Sequence, residues 1–170
     1  TPPDLIGEHP RVGQWLRIRS DSSQVEVLSG RVELGQGVHE AMRHVVASQI
    51  GIDARHVTVT GPTTGRSPDE GYTSSSASLQ EGGAALARVA QAFRRLMLER
   101  AAELIDGEVD LHPDGTIHEV GGAKKLTLAD LGQVDGDVRD DDVASWHEPT
   151  LAANGVREDL VKKLTGSAAY

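Results

Sequence analysis

One stretch decides the fold, because a strand-like pattern gives way there to a helical one: Ser29-Gly30-Arg31-Val32-Glu33-Leu34-Gly35-Gln36-Gly37-Val38-His39. Gln24 to Leu34 carries strand-type residues, and apolar residues then recur at helical spacing from Val38 to Ile50. Glycine on both sides of Gln36 lets the backbone turn sharply and approach a ligand closely. The pattern therefore predicts a cofactor-binding turn, with Gln36 presented beside unpaired N–H groups of the first helical turn that face an anion. The alternative is a strand-to-helix connection in which the glycines are needed only for the backbone conformation of the turn.

The elements on either side of this turn predict the fold class. Trp15 to Arg19 and Gln24 to Leu28 alternate as a hairpin would, and His56 to Thr60 indicates a further strand. A long amphipathic helix is predicted from Leu79 to Ile105. We therefore expect an α/β (α+β) fold, a small mixed sheet with the two main helices packed on one face and their N-termini close together.

An 18-residue loop, Gly61 to Ser78, separates the third strand from the long helix. A loop of this length inside a compact domain is usually functional or disordered, and we favour a functional one. Its polar end, Thr73-Ser74-Ser75-Ser76-Ala77-Ser78, lies at a predicted helix N-terminus and indicates a second cradle for an anionic or polar ligand. Helix capping alone is the alternative. The neighbouring carboxylates Asp69 and Glu70 are expected to face solvent.

The rest of the chain predicts smaller elements. A second hairpin is expected over Val109 to Leu111 and Thr116 to Val120, followed by a short capped helix from Thr127 to Leu131. Residues 1–170 are predicted to form a single domain. Within it, the proline-rich residues 1–11 form an extended arm and residues 132–170 form an irregular acidic segment and tail. The aspartates at 135, 137, 140, 141 and 142 are expected in a solvated loop rather than a calcium site.

Composition excludes several functions. The net charge of −9 argues against nucleic acid, whose phosphates need clustered Lys and Arg. There is no cysteine, so the chain can hold neither a disulfide nor a Cys-ligated iron–sulfur cluster. No apolar run is long enough to predict membrane insertion. The chain contains no Gly-x-Ser-x-Gly elbow and no Gly-Lys-Ser/Thr loop, so acyl-transfer and P-loop chemistry have no support.

Two familiar motifs match only in part. The segment His39 to His44 is similar to the zinc-protease pattern, but the second histidine would have to stand at position 43, which is Arg. The glycines at 35 and 37 suggest a dinucleotide fingerprint, but its third glycine position holds Glu40. Neither motif therefore supports a function here.

Taken together, two stretches resemble the molybdopterin-binding large subunit of the molybdenum hydroxylases, the xanthine dehydrogenase and aldehyde oxidase family, in particular its isoquinoline 1-oxidoreductase and nicotinate dehydrogenase branch. They are Gly30-Arg31-Val32-Glu33-Leu34-Gly35-Gln36-Gly37 and, some forty residues on, Pro68-Asp69-Glu70-Gly71-Tyr72-Thr73-Ser74-Ser75-Ser76-Ala77-Ser78. The resemblance covers about Pro10 to Glu103 well and the ending loosely. It implies the N-terminal portion of such a subunit, part of a larger molybdopterin-binding domain.

The resemblance also implies a site. Gly35, Gln36 and Gly37 would hold the pterin of molybdopterin cytosine dinucleotide, and Thr73, Ser74, Ser75, Ser76, Ala77 and Ser78 would wrap it. No side chain would bind the metal, although the backbone of Ser75 would lie near molybdenum. Relatives usually carry Gly or Ala at that place.

The resemblance places the remaining parts of the enzyme elsewhere. Family members need a glutamine near the metal and a C-terminal glutamate as general base, and neither segment is in these 170 residues, so no catalytic residue is expected in this chain. The implied partners are the remainder of the large subunit, an iron–sulfur subunit and a small heteroaromatic or aldehyde substrate. The location would be cytoplasmic, or periplasmic if a leader was removed before Thr1. The alternative function is a non-catalytic interaction or assembly module that keeps the scaffold without the cofactor.

Overall fold

The computed structural model describes residues 4–71, 73 and 78–143 of the chain. It contains two three-stranded sheets. The first consists of β1 (Leu16–Arg19), β2 (Gln24–Leu28) and β3 (Val57–Thr60). β1 pairs with β2 antiparallel, and β2 pairs with β3 parallel. This sheet is therefore mixed, as the sequence predicted.

The described helices are α1 (Leu5–Glu8), α2 (Val38–Ile50), α3 (Gly83–Ile105) and α4 (Leu128–Leu131), with short 3-10 turns at Val12–Gln14 and Ala54–His56. α2 connects β2 to β3 and completes a β-α-β unit. It is bounded by Gly37 and Gly51, both of which have a positive φ that favours glycine. A π-helical turn, Ser78–Gly82, precedes α3, so the regular long helix begins four residues later than the predicted Leu79.

The main core lies between the first sheet and its helices. Inward-facing positions of the strands alternate with polar ones, so that Leu16, Ile18 and Val25 are buried whereas Arg17 and Glu26 lie on the opposite face. The strand residues pack with side chains from α2 and α3, among them Met42, Val46, Phe93 and Met97. Because both helices cover the same apolar face, the α/β (α+β) prediction is confirmed.

The second sheet follows α3. It is an antiparallel meander of β4 (Val109–Leu111), β5 (Thr116–Glu119) and β6 (Lys125–Thr127). The hairpin and the capped α4 were predicted, and Thr127 and Asp130 form the capping box. β6 was missed because three residues carry too little pattern to predict a strand.

An amide side chain covers the outer edge of β1. Gln133 accepts a hydrogen bond from the N–H of Ile18 at 3.2 Å and donates one to the carbonyl of the same residue. The side chain thereby imitates a neighbouring strand for one residue. This contact occupies the outward backbone groups of Ile18, which another chain could otherwise pair with.

The structure corrects two predicted segments. The strand pattern was extended to Leu34, but β2 ends at Leu28, and Val32 and Leu34 are 41% and 71% exposed. They leave the sheet because the chain after Leu28 bonds to the long loop. The extended arm predicted for residues 1–11 instead contains α1, because the Asp4 carboxylate caps the helix through the N–H of Gly7 and Leu5 is buried in the core.

The acidic segment is less solvated than expected. Asp142 is buried, and its carboxylate accepts hydrogen bonds from the Arg95 guanidinium at 2.9 and 3.0 Å and from the N–H of Arg139 at 2.8 Å. Asp135 similarly pairs with Arg11 and accepts from the N–H of Gly13. These contacts hold the segment against α3 and the N-terminal residues.

The Arg95–Asp142 pair predicts how acid affects stability. Burial raises the pKa of the Asp142 carboxyl, but hydrogen bonds from Arg95 and Arg139 outweigh burial and hold that pKa below its usual value. The pair therefore stabilises the fold fully above about pH 4, and this contribution is lost as the pH falls through the lowered pKa. We expect Asp142→Asn to lower the free energy of unfolding at pH 7 by about 1–3 kcal/mol and to weaken its acid dependence.

Urea unfolding at pH 7 and at pH 3 measures this effect. The matched control is Asp140→Asn, since Asp140 is exposed and lies 3.7 Å from Arg88. Equal unfolding midpoints for Asp142→Asn and the wild type at pH 7 would contradict the assignment.

Candidate functional site

The loop between β2 and α2, residues 29–37, is closed by its own side chains. The Glu33 carboxylate accepts hydrogen bonds from the N–H groups of Gly35 at 2.7 Å and Gly37 at 2.9 Å, and a longer one from His39 at 3.3 Å. Gly35 and Gly37 have φ values of 100° and 84°, which side-chain-bearing residues rarely adopt. Of the first N–H groups of α2, that of His39 is therefore bound by Glu33 within the chain, and the prediction that these groups face a ligand anion is wrong for this one.

Gln36 is exposed, and the loop engages half of the hydrogen-bonding groups of its side-chain amide. The side-chain carbonyl accepts from the N–H of Leu34 at 2.6 Å, and the side-chain NH₂ donates to the carbonyl of Val32 at 2.9 Å. A primary amide has two N–H donors and two acceptor lone pairs. One donor and one lone pair of Gln36 therefore have no partner among the described residues, and the two internal bonds fix their direction.

A buried carboxylate joins this loop to the long loop. Glu70 is only 3% exposed, and it accepts hydrogen bonds from the Ser29 hydroxyl at 2.8 Å and the Gly30 N–H at 2.6 Å. Its other oxygen lies 3.7 Å from Nε of Arg31, which is also buried. The expectation that Glu70 faces solvent is therefore wrong. Its neighbour Asp69 is exposed, as predicted.

Two glycines allow the chain segments around Glu70 to approach closely. A Cβ on Gly30 would lie 2.5 Å from the carbonyl oxygen of Pro68, and a Cβ on Gly82 would lie 2.8 Å from Oε1 of Glu70. The same Cβ on Gly82 would lie 3.9 Å from Cε of Met42 in α2. The residue that precedes α3 thus lies beside a side chain from the first half of α2.

The two predicted ligand-binding segments are in direct contact. The hydroxyl of Thr73 accepts a hydrogen bond from the N–H of Val32 at 2.9 Å. Ser74, Ser75, Ser76 and Ala77 lie outside the described residues, and Ser78 is described only by its backbone, which begins the π-helical turn. The structure therefore joins Thr73 to the loop that presents Gln36.

A polar cleft of about 230 Å³ opens beside this junction. Its wall includes Gly30, Thr63, Ser67 and Glu70, but not Gln36. Among the described residues, no three His, Asp or Glu side chains are grouped so that they could hold a metal ion. None of the described helices combines the length and the apolar character needed to cross a membrane.

Two comparisons with known proteins identify the family of the chain. The model of one protein family, the molybdopterin cofactor-binding domain, matches residues 5–163. The chain belongs to this family. Over 116 residues it is also 30% identical to a nicotinate dehydrogenase subunit of Pseudomonas putida, a match that covers 67% of this chain and 10% of that protein. The chain therefore spans about a tenth of the length of the relative it matches.

The residues of the loop fit the cofactor that the family name implies. A pterin edge mixes hydrogen-bond donors and acceptors, and the outward half of the Gln36 amide offers one of each. The exposed position of Gln36 leaves that half accessible. Gly35 and Gly37 place no side chain beside it. In a molybdopterin-binding domain these three residues are suited to hold the pterin.

Sequence reasoning missed the residues that hold the loop together. Glu33 could have been found from its spacing, because an acidic residue shortly before a helix is placed to accept from its first N–H groups. Glu70 gave no such signal. Its partners Ser29 and Gly30 are 41 and 40 residues away, and no local pattern predicts that contact.

The buried contacts of Glu70 predict a large effect on stability. Glu70→Gln removes the negative charge beside Arg31. It also leaves one acceptor oxygen where the carboxylate has two. Because the change removes the charged acceptor from a buried hydrogen-bonded network, we expect the free energy of unfolding to fall by about 1–3 kcal/mol. Urea unfolding of the chain measures this fall.

Asp69→Asn is the matched control, since Asp69 is the exposed neighbouring carboxylate. We expect it to change stability by no more than about 0.5 kcal/mol. If Glu70→Gln and Asp69→Asn had the same small effect, Glu70 would not organise the site.

Proposed function

We propose that this chain is the cofactor-binding portion of a molybdenum hydroxylase, an oxidoreductase that oxidises an N-heteroaromatic compound or an aldehyde with oxygen derived from water. One observation carries the proposal. Within a molybdopterin cofactor-binding domain, the loop that presents Gln36 is bonded to the long loop through Glu70 and Thr73. The two segments are thereby held side by side, as one binding site requires.

The proposed work of this chain is placement rather than proton transfer. Gln36 would bind the pterin edge through the outward half of its amide, and Gly35 and Gly37 would allow the close approach. Thr73, bonded to the loop, would begin the wrap that Ser74, Ser75, Ser76, Ala77 and Ser78 continue. When bound, the molybdenum cofactor supplies the oxygen transfer and accepts the electrons of the substrate.

The remaining parts of the reaction are proposed to lie in other segments or chains. The chain contains no cysteine, so the iron–sulfur centres that carry electrons onward would belong to an iron–sulfur subunit. The general base would come from the remainder of the large subunit, and we expect the isolated chain to be inactive. The relative named a nicotinate dehydrogenase subunit supports an N-heteroaromatic substrate, and we propose molybdopterin cytosine dinucleotide as the form of the cofactor.

The test is the molybdenum and pterin content of the purified complex with Gln36→Leu. The fold should be kept, because Gln36 is exposed and water can hydrate the N–H and carbonyl that it leaves. Each cofactor group left without a partner costs about 1–3 kcal/mol, which corresponds to roughly a five- to 150-fold loss of cofactor affinity. Gly37→Val should reduce cofactor content further, because Val would have to adopt the φ of 84° found at Gly37.

Gln24→Leu is the control, because Gln24 donates to the Arg55 carbonyl at the far end of the sheet. Equal cofactor content in Gln36→Leu and the wild type would mean that residues 35–37 only connect β2 to α2. Absence of molybdenum from the wild-type complex would favour the non-catalytic interaction module instead.

A further inference from the structure

The N-terminus of α2 has the features of an anion site. The positive end of the helix dipole and the first N–H groups of a helix favour phosphate and carboxylate groups. The positive φ values of Gly35 and Gly37 turn further N–H groups toward the same point, which makes a concave anion-binding nest. A nucleotide cofactor carries phosphates that such a nest could bind.

The chain fills this nest with its own carboxylate. Both oxygens of Glu33 are engaged, one by the N–H groups of Gly35 and Gly37 and the other by that of His39. Hydrogen bonds to a charged acceptor are roughly twice as strong as neutral ones. A phosphate that bound the N–H groups of Gly35, Gly37 and His39 would have to displace this carboxylate, and the two negative charges would repel each other.

Other side chains hold the same loop closed. Nε2 of His39 lies 2.8 Å from the carbonyl of Arg31, and since a carbonyl can only accept, Nε2 carries the proton. Gln36 joins Val32 and Leu34 from the outer side. The loop backbone is thus held by several side chains before any ligand arrives, and the outward half of the Gln36 amide stays exposed on it.

We propose that Glu33 is a specificity-determining positioning residue: a built-in anion that excludes phosphate from the N-terminus of α2 and leaves the pterin edge to Gln36. This inference rests on the proposed function for the identity of the ligand. The phosphates of the cofactor would then be bound by other segments. The orientation of the cofactor follows, with its uncharged hydrogen-bonding edge toward this loop.

The experiment uses the full chain labelled with ¹⁵N and needs no molybdenum. Amide hydrogen exchange and a titration with inorganic phosphate, at constant ionic strength set with chloride, are followed for Gly35, Gly37 and His39. The proteins are the wild type, Glu33→Ala, Glu33→Gln and the control Glu40→Gln. Glu40 is a suitable control because it lies in the first turn of α2 but pairs with Arg43 and His44.

In Glu33→Ala we expect the three amides to exchange about tenfold faster or more, and phosphate to shift the resonances of Gly37 and His39. In the wild type and in Glu40→Gln we expect slow exchange and no phosphate shift. Unchanged exchange in a folded Glu33→Ala, or a phosphate shift of these amides in the wild type, would overturn the proposal.

If Glu33→Ala does not fold, Glu33→Gln takes its place. One amide oxygen can keep the bonds to Gly35 and Gly37, so we expect faster exchange at His39 alone, and no change at His39 overturns the proposal. If neither variant folds, the wild-type phosphate titration decides. A complex without molybdenum would contradict the proposed function but would not change the exchange and phosphate results. Failure of the proposed function can therefore be distinguished from failure of the role inferred for Glu33.

Discussion

The carboxylate of Glu70 is buried where the end of β2, the long loop and the turn before α3 meet. A charge in such a place is costly unless hydrogen bonds and an opposite charge compensate for it. Here the Ser29 hydroxyl, the Gly30 N–H and the Arg31 guanidinium provide that compensation. The requirement fixes the path of the segment after β2 and of the long loop, since neither can move away without leaving a buried polar group unsatisfied. Gly82, which has no side chain, lets the turn before α3 approach the same carboxylate.

The loop between β2 and α2 depends on this anchor at one end and on α2 at the other. Between these ends its backbone is held by side chains: Ser29 accepts from the N–H of Arg31, Thr73 from that of Val32, and Glu33 from three N–H groups nearer the helix. A loop fixed in this way loses little conformational freedom when it binds a ligand. The geometry therefore favours a preorganised binding surface.

Local pattern predicted the elements well and the site only in part. The bounds of α2 were predicted because a helical period ends at glycine on both sides, and those glycines do adopt the left-handed conformation. Val32 and Leu34 were assigned to a strand because their residue types favour one. However, β2 ends at Leu28, and the N–H of Gly30 donates to the Glu70 carboxylate instead of to a neighbouring strand. The burial of Glu70 depends on a contact across forty residues, which periodicity does not encode.

We propose that Gln36, held by this network, faces the pterin. The most direct measurement is an experimental structure of the cofactor-loaded complex that contains this chain. We expect the outward N–H and lone pair of Gln36 within hydrogen-bond distance of the pterin edge, with Glu33 still bound to the N–H groups of Gly35, Gly37 and His39. A pterin bound away from Gln36, or a cofactor phosphate in place of the Glu33 carboxylate, would contradict it.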